Sequence, residues 1–346
     1  MKKIFVFCPA NITSGGPEAL HQLRYYMEKC GIDAWIVYIG SHKKEEKPVI
    51  PERYTHFFQS EKKCMWEDDY IDCSDNLIIM PEFFSQKLLH YHKSSKAIWW
   101  LGVLAYDGRK IYLDDSWLLQ FSPIMRILKK IKYNLKYSID CIKSSYLYYI
   151  RHVKNYCASQ FAYEYVMEQQ HQKACLLVEP ISKEFLDAGR VEYVNDKRKD
   201  AVLYNPSKPS KLMDLLLERK NFEFVPLRGY TAQELVNIYR EHKLYIDFGK
   251  FPGPERIPKE AVYNGCNILV RKHNASVNNF DVAIPDKYKI TDITNLEMIE
   301  NKIREMLSNY EQQFKDFEGF RGKIVALEDD FEKAITLLFK DYIGEA

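Results

Sequence analysis

The chain of 346 residues is 46% apolar and 28% charged, and its 50 Lys and Arg against 48 Asp and Glu leave a net charge of +2. That length exceeds one ordinary hydrophobic core and suits two domains, and the near-neutral charge excludes a polycation built to coat nucleic acid. No run approaches the ~18 apolar residues of a membrane span. The run after Met1-Lys2-Lys3 is too short for a secretory signal and breaks at Pro9. The eight Cys residues are scattered with no C-x-x-C pair, which favours reduced thiols in a cytoplasmic protein over a disulfide framework or a zinc site.

In chain order, Lys3–Cys8 reads as a buried strand, Pro9–Gly16 as a loop, and Pro17 to Lys29 as an amphipathic helix with Leu20, Leu23 and Met27 on one face. Gly31 stops the helix and Ala34–Ile39 returns as a strand, completing a βαβ unit. Short apolar runs follow at Thr55–Phe58, Leu77–Met80, Ala97–Leu101 and Asn155–Ala158, with helical stretches between several of them. They predict a mostly parallel sheet covered on both faces. Leu176–Asp200 carries Pro180, Gly189 and a charged run with little apolar pattern, and reads as a junction. The pattern then restarts. Ala201–Tyr204 is a strand, Ser210–Arg219 a helix, Phe222–Leu227 a strand and Ala232–Tyr239 a helix. Asn295 to Lys340 is helical by its spacing of Ile, Leu and Phe. The expected fold is α/β, with two successive Rossmann-like halves.

Several loops after these strands carry residues suited to phosphate chemistry. Ser14-Gly15-Gly16-Pro17-Glu18 follows the first strand, and its glycines permit close approach of a ligand or a positive φ. The spacing is not G-x-G-x-x-G, which disfavours a dinucleotide; a tight turn capping a helix is the plain alternative. Lys208 ends the loop Asn205-Pro206-Ser207-Lys208, and Arg228 follows the strand Phe222–Leu227. A cation on either loop meets a diphosphate as a point charge or is simply a solvated loop charge. The richest segment runs from Tyr245 to Val270. It reads as a strand (Leu244–Phe248), a Gly/Pro loop, a helix opened by Pro258, a stop at Gly265 and a second strand (Asn267–Val270). Glu255, Glu260 and a helix N-terminus fall just beyond the carboxyl end of the first strand, where open α/β sheets bind ligands. A helix N-terminus there favours an anion.

This segment resembles the C-terminal half-site of bacterial GT-B glycosyltransferases, in particular the sugar transferases of polysaccharide and O-antigen gene clusters. Those carry a Glu, seven residues, then Glu-Ala and a Gly shortly after. Glu260-Ala261 with Gly265 matches the second half; the first Glu would fall at Pro252, and Glu255 lies nearby out of register. The loop Pro252-Gly253-Pro254-Glu255-Arg256-Ile257-Pro258 is similar to that branch's own. The resemblance implies two Rossmann-like domains facing a cleft, with an acceptor-side domain over 1–178 and a nucleotide-sugar-binding domain over 179–325. It also implies a helix over 326–346 that crosses back to the first domain. A nucleotide-sugar donor would be held by Gly15, Gly16, Lys208, Arg228, Gly253, Arg256, Ile257 and Glu260, the last accepting from ribose hydroxyls. Glu255 and Asp107 are the catalytic candidates, with no cofactor and no metal in the site. The implied reaction is transfer to a glycan or lipid-linked glycan in bacterial surface-polysaccharide synthesis, with retention of configuration favoured.

On the acceptor side, Trp99-Trp100 ends a strand and Tyr106-Asp107 follows in a loop. Aromatic faces stack on sugar rings, and an Asp or His serves as general base on a hydroxyl, so His90 and His92 join Asp107 as candidates. Asp68-Asp69 and Asp114-Asp115 read as helix caps or exposed acids rather than metal ligands. Residues 126–154 hold eight Lys and Arg against one acid, Asp140, and are rich in Tyr. The stretch reads either as a helix lying on an anionic membrane surface at the inner face of the cell membrane or as a solvated helix with Lys outward. No known nucleic-acid-binding module accompanies it. A non-catalytic nucleotide-sugar or glycan-binding protein of the same shape, and a nucleotide-sugar epimerase, remain open as alternatives to a transferase.

Overall fold

The computed structural model describes residues 2–43, 46–58, 63–103, 121–129, 131, 153–192, 197–208 and 210–344. Two compact units emerge; one ends at Glu179 and resumes at Glu328, and the other includes Pro180–Leu327.

Seven short strands build the sheet of the first unit: β1 (Lys3–Pro9), β2 (Ala34–Ile39), β3 (Cys64–Trp66), β4 (Asn76–Pro81), β5 (Ser95–Trp100), β6 (Val153–Cys157) and β7 (Ala174–Leu176). All their pairings are parallel, in the order β3-β2-β1-β4-β5-β6-β7. The central strands carry apolar residues on successive positions because both faces are covered; every residue of β4 is buried. The chain runs outward from β1 to β3 and then returns to β4 on the other side of β1, so the order reverses between β1 and β4.

Helix α1 (Gly15–Lys29) packs its Ala19, Leu20, Leu23 and Met27 into this core. It also buries His21, whose Nδ1 lies 2.7 Å from the Pro17 carbonyl and whose Nε2 lies 2.7 Å from the Tyr38 hydroxyl. A carbonyl only accepts, so Nδ1 carries the proton and Nε2 accepts from Tyr38. Burial, against the pull of the Pro17 carbonyl, lowers the imidazole pKa to about 4. The fold accepts the neutral ring, so its contribution, about 3 kcal/mol, is intact above pH 6.5 and is lost as pH falls towards 4. We expect the His21 imidazole to titrate below pH 5 in NMR and the melting temperature to fall across that window; a midpoint near 6.5 would refute its burial as a neutral ring.

One expectation in this half is corrected. Thr55–Phe58 is no strand but part of a 3-10 turn, Glu52–Phe57, whose Tyr54 and Phe57 pack with Ile50. The Arg24 guanidinium donates to the Phe57 carbonyl at 3.0 Å, satisfying backbone that a sheet would otherwise pair. The third strand is instead Cys64–Trp66, too short for a periodic signal.

The second unit repeats the plan with β8 (Lys199–Tyr204), β9 (Phe224–Pro226), β10 (His242–Asp247), β11 (Asn267–Arg271) and β12 (Lys289–Ile290). They are parallel in the order β12-β11-β10-β8-β9, so this sheet reverses between β8 and β10. Helices α2 (Lys211–Arg219), α3 (Ala232–Glu241) and α4 (Arg256–Tyr263) connect the first four of these strands, and α5 (Leu296–Ser308) follows the last. The α3 start is written in the sequence as a capping box of Thr231 and Glu234. Helix α4 opens two residues earlier than Pro258 suggests; a proline in the first turn costs no hydrogen bond there. The long helix α6 (Glu318–Leu338) starts in this unit, and its residues from Glu328 belong to the first, where Phe331 and Ile335 join the core and Tyr26 donates to Glu328 at 2.6 Å.

Candidate functional site

Ligands of open α/β sheets sit at the carboxyl edge where strand order reverses. In the second unit that point lies between β8 and β10, and the loops leaving those strands meet there. Asn205 organises the first loop: its side-chain oxygen accepts from the Ser207 amide at 2.9 Å and its carbonyl from the Lys208 amide at 3.3 Å. This turn carries Lys208 back over the sheet edge, where its ammonium pairs with Asp247 at 2.8 Å and Glu255 at 2.5 Å.

Asp247 closes β10 and is buried. It accepts from the Tyr245 hydroxyl at 3.0 Å, two residues earlier on the same strand face, and from the Gly249 amide at 2.9 Å, besides Lys208. A Cβ on Gly249 would lie 2.9 Å from both the Asp247 carboxylate and the Lys208 side chain, so the turn tolerates only glycine without a shift. Burial works against the Lys208 charge, but the two carboxylates outweigh it and hold the pKa well above the usual lysine range. Burial raises the Glu255 carboxyl, Lys208 draws it down and Asp247 pushes it up again, which leaves it above the ordinary glutamate value.

Phe251 lies on the same loop, buried, with a φ of 48° that a bulky side chain rarely adopts. Its ring centroid is 5.1 Å from the Lys208 ammonium. The strained backbone is pinned from the loop after β11: Ala275 donates to the Phe251 carbonyl at 3.2 Å and the Asn274 side chain to that of Lys250 at 2.8 Å. Strain held by tertiary bonds at a sheet edge is a mark of functional loops.

The other residues singled out in the sequence are placed around this centre. Gly253 is buried and its carbonyl accepts from the Glu255 amide at 2.9 Å, turning the chain into α4. Glu255 is the N-cap of α4 but makes no capping bond, its carboxylate being spent on Lys208. Arg256 approaches the Ser182 hydroxyl at 3.4 Å, and Ile257 is half-buried. Glu260 lies one turn further on the same helix, buried, and its charge acts on the wholly buried Tyr239 phenol. Arg228 is exposed beyond the end of β9, one strand from β8. The structure therefore brings Lys208, Glu255 and the start of α4 together, with Glu260 beneath, and leaves Arg228 at the rim of the same edge.

In the first unit the reversal lies between β1 and β4. Gly15 and Gly16 form the first turn of α1 after β1, and a Cβ on Gly16 would meet Leu101 at 3.9 Å. The left-handed glycines among the described residues are Gly31, Gly189, Gly229 and Gly265, so Gly15 and Gly16 supply closeness rather than a positive φ. Directly after β4 stands Glu82, a buried carboxylate that the sequence reading passed over. Burial raises its pKa to about 8 although the Leu101 amide donates to it at 3.0 Å. It ties down the chain leaving β5, the segment that leads towards Asp107.

Two acceptor-side expectations are revised. Trp99 and Trp100 are wholly buried; their indole N–H groups donate to the Leu177 carbonyl and the Asn155 side chain, both at 3.0 Å, so they are core and no sugar platform. His90 and His92 are exposed and precede β5, which puts them at the amino edge of a parallel sheet, opposite the ligand edge. Asp107, Tyr106, Asp114, Asp115 and most of 126–154 lie outside the described residues. Among the described residues no group of three or more His, Cys, Asp or Glu is placed to hold a metal ion, and no helix is long and apolar enough to cross a membrane.

Sequence reasoning missed Asp247, Glu82 and Phe251. The first two had a signal: an acid closing or directly following a buried apolar run at the carboxyl edge. Phe251 had none, because a left-handed φ on an aromatic residue is imposed from elsewhere in the chain.

No protein-family model matches the chain, and no curated protein matches it by sequence. Solved structures do match over its whole length. Sucrose-phosphate synthase from Thermosynechococcus elongatus superposes with a TM-score of 0.55 at 9% identity, covering 99% of each chain. T4 phage BGT in complex with UDP-glucose gives 0.50 at 9%, covering 100% of each. WaaG, a glycosyltransferase involved in lipopolysaccharide biosynthesis, gives 0.50 at 10%, covering 99% of this chain and 100% of the other. With two parallel sheets, each reversing its strand order once, the chain has the GT-B fold of these glycosyltransferases.

Proposed function

We propose that the protein is a glycosyltransferase that moves a sugar from a nucleotide-sugar donor to a glycan or lipid-linked glycan in bacterial surface-polysaccharide synthesis. The observation that carries the reading is a lysine, Lys208, fixed by buried acids at the strand-order reversal of the second sheet, beside the start of α4. The similarity to BGT, seen with UDP-glucose, and to WaaG, which serves lipopolysaccharide biosynthesis, supports the same class.

In this reading Lys208 and the N-terminus of α4 take the donor diphosphate, with Arg256 and Arg228 at its rim. As the sugar bond breaks, negative charge gathers on the leaving diphosphate, and these groups stabilise it in place. The cations do this work without a metal. Glu255 pairs with Lys208 and must yield it to the incoming phosphate. Glu260 accepts hydrogen bonds from the ribose hydroxyls, as a buried carboxylate can. Asp107 remains the acceptor-side base. The Glu260-Ala261 motif favours retention at the transferred carbon.

A panel of nucleotide sugars and nucleoside diphosphates in calorimetry tests the proposal. At least one should bind and, with acceptor or water, release its nucleoside diphosphate. Glu260→Ala should weaken that nucleotide by about tenfold, the loss of about one charged hydrogen bond, with little change in melting. Unchanged affinity would remove Glu260 from the site, and silence across the panel would favour a protein that binds glycan without turnover.

A further inference from the structure

We infer that a nucleotide-sugar diphosphate entering the second unit brings about one proton with it, and that Glu255 is the group that takes this proton up. The ground is the charge of one cluster. Lys208 meets the carboxylates of Asp247 at 2.8 Å and Glu255 at 2.5 Å, and the three side chains are 20%, 2% and 14% exposed. A single cation between two acids leaves this largely buried cluster with an excess of negative charge. A diphosphate that takes Lys208 adds more at the same spot, where water screens little. Carboxylates crowded in this way do not all stay ionised.

Which acid yields is set by what else holds each of them. Asp247 also accepts from the Tyr245 hydroxyl at 3.0 Å and the Gly249 amide at 2.9 Å, and both bonds favour its charged form. Glu255 has Lys208 as its ion-pair partner and, although it stands at the N-cap of α4, makes no capping bond. The charged and titratable groups facing it are Lys208 from the loop after β8, Asp247 and the Tyr245 phenol from β10, and Lys259 from α4 itself. Burial holds its carboxyl above the ordinary glutamate value, with the push of Asp247 and against the pull of Lys208 and Lys259. Once a phosphate takes over Lys208, Glu255 loses its strongest attraction and gains another anion beside it. Its pKa is therefore higher in the complex than in the free protein.

The alternative is a carboxylate that swings away still charged. Against it, the backbone is fixed at this point: the Glu255 amide donates to the Gly253 carbonyl at 2.9 Å, and Pro254 precedes it directly. Protonated in place, Glu255 gains an O–H donor, so the group that competes with the phosphate becomes one that can bond it. A group whose pKa rises on binding favours the complex most when protons are abundant. Affinity is thus full below the pKa of Glu255 in the free protein. It falls, by up to about tenfold per pH unit, as pH climbs towards the pKa in the complex.

The ligand for the test is a nucleotide sugar that binds in the panel testing the proposed function. Its diphosphate is esterified at both ends, whereas the terminal phosphate of a nucleoside diphosphate ionises near pH 6 and would confuse the proton count. Calorimetry at pH 7 and 8, in buffers of low and high ionisation heat, should show uptake approaching about one proton per site, and affinity should fall several-fold from about pH 6 to pH 8. Glu255→Gln, neutral at every pH, should take up no proton, bind equally well across that range and exceed wild type at its upper end. Wild-type binding without proton uptake, as a swinging carboxylate would give, would overturn the inference. So would Glu255→Gln that still takes up the proton, since another group would then carry it. The coupling rests on the proposed function for its ligand. Binding without uptake sinks the coupling and leaves the transferase reading standing, while silence from every nucleotide sugar sinks both.

Discussion

Replacing Lys208 by Met should weaken nucleotide binding and destabilise the second unit in one step. The ammonium is the partner of Asp247 at 2.8 Å and Glu255 at 2.5 Å. Its removal leaves two carboxylates together in a largely buried place, and breaking a buried pair from one side costs about 3–5 kcal/mol. The acids can relieve part of that by taking up a proton, so the loss should be smaller at pH 5 than at pH 8. Nucleoside diphosphate affinity should fall by about 10- to 100-fold, the range of one charge-assisted hydrogen bond. The sharper experiment is Glu255→Gln, which frees Lys208 without exposing it. If Glu255 guards Lys208 until a phosphate arrives, this variant should bind nucleoside diphosphate a few-fold more tightly than wild type, and Lys208→Met/Glu255→Gln should regain stability without regaining affinity. Calorimetry that found Glu255→Gln weaker than wild type would show that Glu255 holds the donor and does not compete with it.

Gly265→Ala should be the most destabilising single-methyl change in the chain. Gly265 follows α4 with a φ of +92°, open to glycine and strained for any other residue. A Cβ there would run into the Arg198 guanidinium, with its Cζ at 3.0 Å and Val191 also at 3.0 Å. Arg198 is buried and donates to the carbonyls of Tyr239 at 2.7 Å, His242 at 2.9 Å and Asn264 at 3.1 Å, closing the ends of α3 and α4 against the sheet. The backbone conformation costs about 1–3 kcal/mol, and displacing even one of these charged bonds adds about 1.5–3 kcal/mol. We expect a total near 4 kcal/mol, read as a drop of about 10 °C in the transition of this unit. A shift under 2 °C would mean that Arg198 moves aside freely. The glycine matched to a sequence motif is thus also a packing requirement, and loss of activity on its substitution is no evidence of contact with a ligand.

Much of this protein is legible in its sequence because much of it is local. The runs Lys3–Cys8, Ala34–Ile39 and Asn267–Val270 announce buried parallel strands, and Thr231 with Glu234 announces a helix start. Since parallel strands all end on one edge, any residue just after an apolar run is on the ligand side, which is why Lys208, Glu255, Glu260, Gly15 and Gly16 could be picked out. What depended on distant partners was not legible. Lys208 meets Asp247 across 39 positions in sequence, and nothing local says that a lysine picked out for a diphosphate is held by two acids. The left-handed Phe251 exists because the loop after β11 grips it. The two tryptophans looked available to a sugar until packing buried them, and His90 and His92 looked catalytic until strand direction put them on the far edge. Local propensity and period fixed the elements and their edges; pairing of charges and burial follow from contacts between segments far apart in the chain, and those only the tertiary structure decided.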